Sequence, residues 1–155
     1  FLVEKCENAK LIKQARLNND SMPAYVLSKL EALLGGLKGK RVALFGVTYK
    51  PNIDDIRESP IMHLKDLLLE AGAEVRICDP HAARKLDVTY DAYDACDGSD
   101  IAVLGVNHEQ FRNIDFEKMA EKLSNKVVFD TRNFWDREAV EKAGIKYVLL
   151  GDYRR

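Results

Sequence analysis

The sequence predicts an α/β domain: a doubly wound, mostly parallel β-sheet with an amino-terminal helical segment. Three observations carry this. Short continuous apolar runs recur, as at residues 42–47 and 101–104, which is how strands buried on both faces read. Segments with helical apolar spacing separate them, and a strand–helix–strand succession implies parallel strands joined by crossovers. The chain has 155 residues, 46% hydrophobic and 32% charged, enough to bury one core without staples.

Taken in order, residues 2–17 read as helix, with Val3, Cys6, Ala9 and Ile12 on one stripe. Asp20 or Ser21 is expected to cap a second helix with Pro23 in its first turn; the alternative is one long helix kinked at Pro23. Val26, Leu30, Leu33 and Leu34 form the next apolar stripe, and Gly35-Gly36 stops it. Residues 41–47 are the first strand, and a loop runs from Thr48 to Glu58. Ser59 as cap and Pro60 at the first position open a helix burying Ile61, Leu64, Leu67 and Leu68. Residues 74–78 form the next strand, closed by Asp79-Pro80. The pattern between Lys85 and Ser99 is weaker, with a short helix at 90–96. Strands follow at 101–105, 126–130 and 147–150, and helices at 115–123 and 138–143. The domain boundary is expected at Gly36, giving a helical linker or dimerisation segment over 1–36 and an α/β unit over 37–155.

Composition narrows the function. Lys plus Arg is 24 against 25 for Asp plus Glu, a net charge of -1, so no global field favours nucleic acid or an anionic membrane. No apolar run approaches the roughly 20 residues that span a bilayer. The start is not a signal peptide, because charge directly follows its few apolar residues. It also lacks an initiating Met, as a fragment of a longer chain would. Cys6, Cys78 and Cys96 form no CxxC pair, so zinc and thioredoxin-type chemistry are not expected. Cys78 is read as a small buried hydrophobe and the setting as a reducing cytoplasm.

In doubly wound sheets ligands bind beyond the carboxyl ends of the strands. The loops to inspect begin at Gly46, Asp79, Gly105, Asp130 and Gly151. The first has one glycine, so it is neither a G-x-G-x-x-G fingerprint nor a P-loop. It carries Lys50, a point charge suited to phosphate, and Arg57, a fork suited to bidentate contact, with Asp54 and Asp55 between them. The competing reading is a solvated loop whose charges pair locally. Arg132, in Asp130-Thr131-Arg132-Asn133, is placed to face the same crevice; its alternative is a bond to Asp130 or Asp136.

Several stretches together carry a family resemblance. They are Tyr49-Lys50-Pro51-Asn52, Asp54-Asp55-Ile56-Arg57-Glu58-Ser59-Pro60, Cys78-Asp79-Pro80 and Asp130-Thr131-Arg132-Asn133, preceded by Ala15-Arg16 and Asn19-Asp20-Ser21-Met22-Pro23. The chain resembles the carboxyl-terminal, UDP-binding domain of the UDP-glucose/GDP-mannose dehydrogenase family, with part of its central helix. The Asn19 to Pro23 form looks most like the branch oxidising UDP-N-acetylmannosamine or UDP-N-acetylglucosamine. The resemblance implies a Rossmann-like fold and an NAD-dependent oxidation of a sugar C6 alcohol to a carboxylate in two hydride transfers, within polysaccharide biosynthesis. It implies a homodimer built through the amino-terminal helices. It also implies that NAD is bound mainly by an amino-terminal domain, and that the catalytic Cys, in Gly-Gly-x-Cys, precedes the central helix. Cys6 does not match that motif, so no catalytic residue is expected in this chain, which alone should be inactive. Tyr49 and Lys50 match the family's aromatic-Lys pair on the UDP-sugar. Arg132 matches a strand-end Arg reaching the same ligand. Arg57 matches an Arg bridging towards the NAD phosphates. Glu58 and Ser59 look like helix-start groups, and no metal site is implied.

Other residues are read more plainly. His108 is expected as a cap or loop histidine, with a binding-edge role as the alternative. His63 and His81 are expected on the surface. Trp135 is assigned to core or interface packing, with base stacking as the alternative. Glu117, Lys118, Glu121 and Lys122 form a solvated helix face, and Tyr90 and Tyr93 have no assigned role. Two rival functions remain: a receiver-like regulatory module and an assembly module. A receiver's acidic pair directly follows the first strand, whereas Asp54 and Asp55 lie behind Lys50-Pro51.

Overall fold

The computed structural model describes residues 10–82, 86 and 88–152. Among the described residues five strands form one sheet: β1 (Arg41–Phe45), β2 (Glu74–Cys78), β3 (Ile101–Leu104), β4 (Val127–Asp130) and β5 (Lys146–Leu149). Their order is β2-β1-β3-β4-β5, and every neighbouring pair is parallel. The helices are α1 (Lys10–Asp20), α2 (Met22–Leu34), α3 (Pro60–Glu70), α4 (Ala92–Cys96), α5 (Phe116–Lys122) and α6 (Arg137–Lys142), with a 3₁₀ turn at Glu109–Phe111.

The strand residues alternate between two cores, which is why their sequences read as unbroken apolar runs. Ala43 and Phe45 of β1, with Ala102 and Leu104 of β3, face Ala95 of α4, Met119 of α5 and Val140 of α6. Val42, Leu44, Ile101 and Val103 face the other way, onto Val26 and Leu30 of α2 and Ile61, Leu64 and Leu68 of α3. The expected elements are present with ends shifted by one or two residues: β1 stops at Phe45 and β5 starts at Lys146.

Helix starts follow local chemistry. Ser59 accepts from the Ile61 amide at 3.3 Å, with Pro60 in the first turn. Asp91, Asp115 and Asp136 cap α4, α5 and α6 through the two amides beyond each. The α1–α2 junction lacks the expected cap and follows the alternative, a helix that runs through to Pro23. Ser21 has helical backbone angles and makes no side-chain cap; its hydroxyl donates to the Asn18 carbonyl at 2.8 Å. Backbone bonding continues across it, Ser21 N–H to Leu17 O and Tyr25 N–H to Ser21 O. The break comes from Pro23, which has no N–H to give back along the helix. The predicted helix over 2–17 is present from Lys10 and runs on to Asp20; its earlier part, with Cys6, lies outside the described residues. No residue of α1 is buried, and Leu11, Ile12 and Leu17 are 83%, 53% and 52% exposed.

Two glycines permit the close approach at the point where the chain changes direction in the sheet. From β1 it goes outward to β2, then returns to β3 on the other side of β1, so the carboxyl ends of β1 and β3 diverge there. Gly46 has φ +76°, and a Cβ there would stand 2.5 Å from the Val106 carbonyl oxygen. A Cβ on Gly105 would meet Ile61 at 2.6 Å and the Gly46 oxygen at 2.7 Å.

Candidate functional site at the carboxyl edge of the sheet

Because all five strands are parallel, the loops bearing Tyr49, Lys50, Arg57 and Arg132 leave the same edge. β1 and β4 are separated only by β3, which sets their ends about 10 Å apart at the usual strand spacing. Arg132 leans into that gap: its Nε donates to the Gly105 carbonyl at 2.7 Å. Its side chain bonds neither Asp130 nor Asp136, although its backbone amide donates to Asp130 at 2.7 Å. Burial pulls the Arg132 guanidinium below its ordinary value, and Asp130 opposes that.

Lys50 is exposed and makes no ion pair among the described residues; its Nζ stands 5.9 Å from the Tyr49 ring centroid. Arg57 behaves differently. It is exposed and grips Asp55 with both Nε, at 2.9 Å, and Nη2, at 2.8 Å. Its bond to Asp55, then that carboxylate's charge, raises its affinity for the proton. Local pairing, the competing reading of this loop, therefore describes Arg57 but not Lys50.

A groove runs along this edge between the α1–α2 junction and the start of α3. Arg16, Asn19, Asp20, Tyr49, Glu58 and Pro60 line one part of it. Asn19, Pro23, Pro60, Ile61, Thr131 and Arg132 line the neighbouring part. The shared walls Asn19 and Pro60 bring Tyr49 and Arg132 to adjoining depressions, whereas Lys50, next to Tyr49 in the chain, and Arg57 line neither.

At the same edge of the sheet lies a buried polar network that sequence reasoning missed. His108 and Asp79 are both fully buried and meet at 3.1 Å through His108 Nε2. Asp79 also accepts from the amides of Val47, His81 and Ala82 at 2.7–2.8 Å. Burial alone would raise its pKa; the bond from His108 and the three amides outweigh burial and bring it to about 2. His108 sits, as expected, in the loop after β3 at the residue before the 3₁₀ turn, but its side chain makes no cap bond and is fully enclosed. His81 is not a plain surface group, since its ring packs at a 44° tilt against that of His108, with centroids 4.7 Å apart. His63 is exposed as expected. Asp130 repeats the arrangement at the end of β4, accepting from the amides of Arg132, Phe134 and Trp135 and the Tyr147 hydroxyl. Trp135 is a core residue, 4% exposed, its indole N–H on the Phe111 carbonyl at 3.1 Å and its ring edge-on to Phe45; base stacking is thereby excluded.

Cys78 and Cys96 are buried free thiols whose pKa values burial pushes up to about 12. Among the described residues no group of three or more His, Cys, Asp or Glu side chains is placed to hold a metal ion. No helix among them is long and apolar enough to cross a membrane. The loop after β1 does not fit a dinucleotide pyrophosphate, since it supplies one glycine where that cradle uses three.

Comparison with known proteins fits this architecture. The model of the UDP-glucose/GDP-mannose dehydrogenase family, UDP binding domain, matches residues 43–137. The chain belongs to that family. It is 43% identical over 155 residues to a UDP-N-acetyl-D-mannosamine dehydrogenase of Methanocaldococcus jannaschii, covering 98% of this chain and 36% of that protein. A UDP-glucose 6-dehydrogenase of Rickettsia conorii is 30% identical, over 93% of this chain and 36% of its own length. Among solved structures, a UDP-N-acetyl-mannosamine dehydrogenase from S. aureus superposes with a TM-score of 0.80 at 35% identity, over 96% of this chain and 35% of that one. The chain thus spans about a third of the length of the relatives it matches.

Proposed function

We propose that this chain is the UDP-sugar-binding domain of an NAD-dependent nucleotide-sugar 6-dehydrogenase, with a UDP-N-acetylhexosamine as substrate. The observation that carries the reading is the edge shared by Lys50 and Arg132. One is a free ammonium and the other a guanidinium held by a single carbonyl, on loops that leave strand ends about two strand spacings apart. Two such cations suit the two charged groups of a diphosphate, each through charge-assisted bonds. Tyr49 borders the same groove and offers an aromatic face to the ligand. The relatives named for UDP-N-acetyl-mannosamine support the choice of sugar.

In this reading NAD serves as hydride acceptor and is held mainly by a domain outside these residues. The chain's own contribution to it is Arg57, which must exchange Asp55 for a phosphate oxygen to make that contact. The catalytic thiol also lies outside, so the 155 residues alone bind without turnover. Residues 1–36 form the dimerising segment and 37–155 the binding unit, in a cytoplasmic enzyme. The bare apolar side chains Leu11, Ile12 and Leu17 support dimerisation; light scattering should report a dimer, and a strict monomer at high concentration removes that part.

Isothermal titration with UDP and with uridine tests the site. UDP should bind and uridine far more weakly. Lys50→Ala and Arg132→Ala should each lower UDP affinity by roughly 10- to 100-fold, the worth of a charge-assisted bond. No heat with UDP from folded protein would reject the function.

A further inference from the structure

We propose that His108 and Asp79 form a clasp that fixes the loop over residues 48–52, making His108 a positioning residue for Lys50. The proposal rests on the reading of Lys50 as a UDP-sugar contact.

The hydrogen-bond directions admit one arrangement. The Asn52 backbone N–H, which can only donate, points at His108 Nδ1 at 2.9 Å. Nδ1 is therefore bare, and in the neutral ring the proton sits on Nε2. Nε2 faces two oxygens, Asp79 Oδ2 at 3.1 Å and Thr48 Oγ1 at 3.2 Å. The Thr48 hydroxyl spends its own hydrogen on the Lys50 carbonyl at 2.9 Å, so its oxygen is open to accept from the imidazole. The ring is consequently a rigid connector: it takes a proton bond from one end of the loop and gives one near the other.

Lys50 lies between the two anchored points. On one side Thr48 is fully buried and tied to His108. On the other, Asn52 has φ 61°, a left-handed conformation that costs a non-glycine residue energy. That conformation is held by His108 and by Asn52 Oδ1, which accepts from the Glu109 amide at 3.0 Å. The loop closes on itself where the Tyr49 amide donates to the Asp55 carbonyl at 2.7 Å. The backbone under Lys50 is thus fixed while its ammonium stays unpaired. A cation held ready in this way loses less freedom on binding an anion. Asp79 performs a second task, since it orients the ring and also holds the Val47 amide at the root of the same loop.

Two substitutions separate the two halves of the clasp. His108→Gln keeps an N–H near the position of Nε2, so Asp79 retains a donor, but it offers Asn52 no acceptor. His108→Asn puts a carbonyl oxygen near the position of Nδ1 and restores that acceptor. Long-range ¹H–¹⁵N spectra of the histidine ring should show the Nε2–H tautomer in the unsubstituted chain. In His108→Gln the Asn52 amide should exchange about tenfold faster and UDP affinity should fall by about five- to tenfold, the worth of one hydrogen bond. His108→Asn should recover most of the amide protection and of the affinity. Added to Lys50→Ala, His108→Gln should have little further effect on UDP, because the histidine acts through the lysine. An Nδ1–H tautomer, an unchanged Asn52 amide, or unchanged UDP affinity in a folded His108→Gln chain would each overturn the clasp. If the unsubstituted chain binds no UDP, the functional reading fails separately, and the tautomer with the Asn52 exchange decides whether the clasp exists.

Discussion

Asp79 and Asp130 are two buried carboxylates, each just past or at the end of a strand, and each accepts four hydrogen bonds, three of them from backbone amides. The difference is where the donors come from. Asp130 gathers amides from its own loop, two to five residues on, and adds one hydroxyl from β5. Asp79 takes two amides from its own loop, one from the loop after β1 and a ring nitrogen from the loop after β3. The Arg132 loop is therefore a locally folded turn, whereas the Lys50 loop is held by residues distant in sequence. The two candidate phosphate-binding cations share an edge but not a means of support.

That contrast can be broken experimentally. The largest effect is expected from Asp79→Ala, which orphans the buried Val47 and Ala82 amides and the imidazole; it should cost about 3–5 kcal/mol in chemical denaturation. Hydrogen exchange should then rise together at the amides of 46–50, Asn52, His81 and Ala82. Asp130→Ala should cost somewhat less, about 3 kcal/mol, because its loop is partly open to water, and exchange should rise at 131–135 alone. If exchange rises over the same residues in both, the local-versus-distant distinction is wrong.

Acid provides the next largest effect. A carboxylate whose folded pKa is about 2, against 3.8 without the fold, contributes stability that is fully present above the unfolded value. It is lost as pH falls through the folded value, so about 2 kcal/mol should disappear between pH ~4 and ~2. Comparing denaturation of the unsubstituted chain and Asp79→Asn across that window checks it, since the variant should lack this part of the fall. The smallest effect belongs to Tyr147→Phe, which removes one of the four donors to Asp130 and should cost about 1 kcal/mol. A cost of several kcal/mol would mean that Asp130 depends on the sheet as much as Asp79 does.

The parts legible from sequence are those set by short-range patterning. The apolar runs of β1 and β3 announced strands covered on both sides, and Ser59-Pro60 announced a helix start, because periodicity and capping act within a few residues. The α1–α2 junction was half legible: Pro23 marked the break, but a cap was expected where backbone bonding in fact runs through Ser21. Lys50 and Arg132 were singled out from sequence because strand ends are where such sheets carry ligands. The partners of His108 were not legible, since they lie 29 to 60 residues away and meet only once β2, β1 and β3 stand side by side. Trp135 was read correctly as a packing residue, but its partners Phe45 and Phe111 come from different strand ends and depend on the same sheet order.

Titration of UDP into ¹⁵N-labelled protein, followed amide by amide, tests most directly whether the two differently supported loops hold one ligand. The amides of Tyr49, Lys50, Asn52 and residues 131–133 should shift together and saturate along a single curve. Shifts confined to one loop, or two curves with separate midpoints, would contradict the shared diphosphate site.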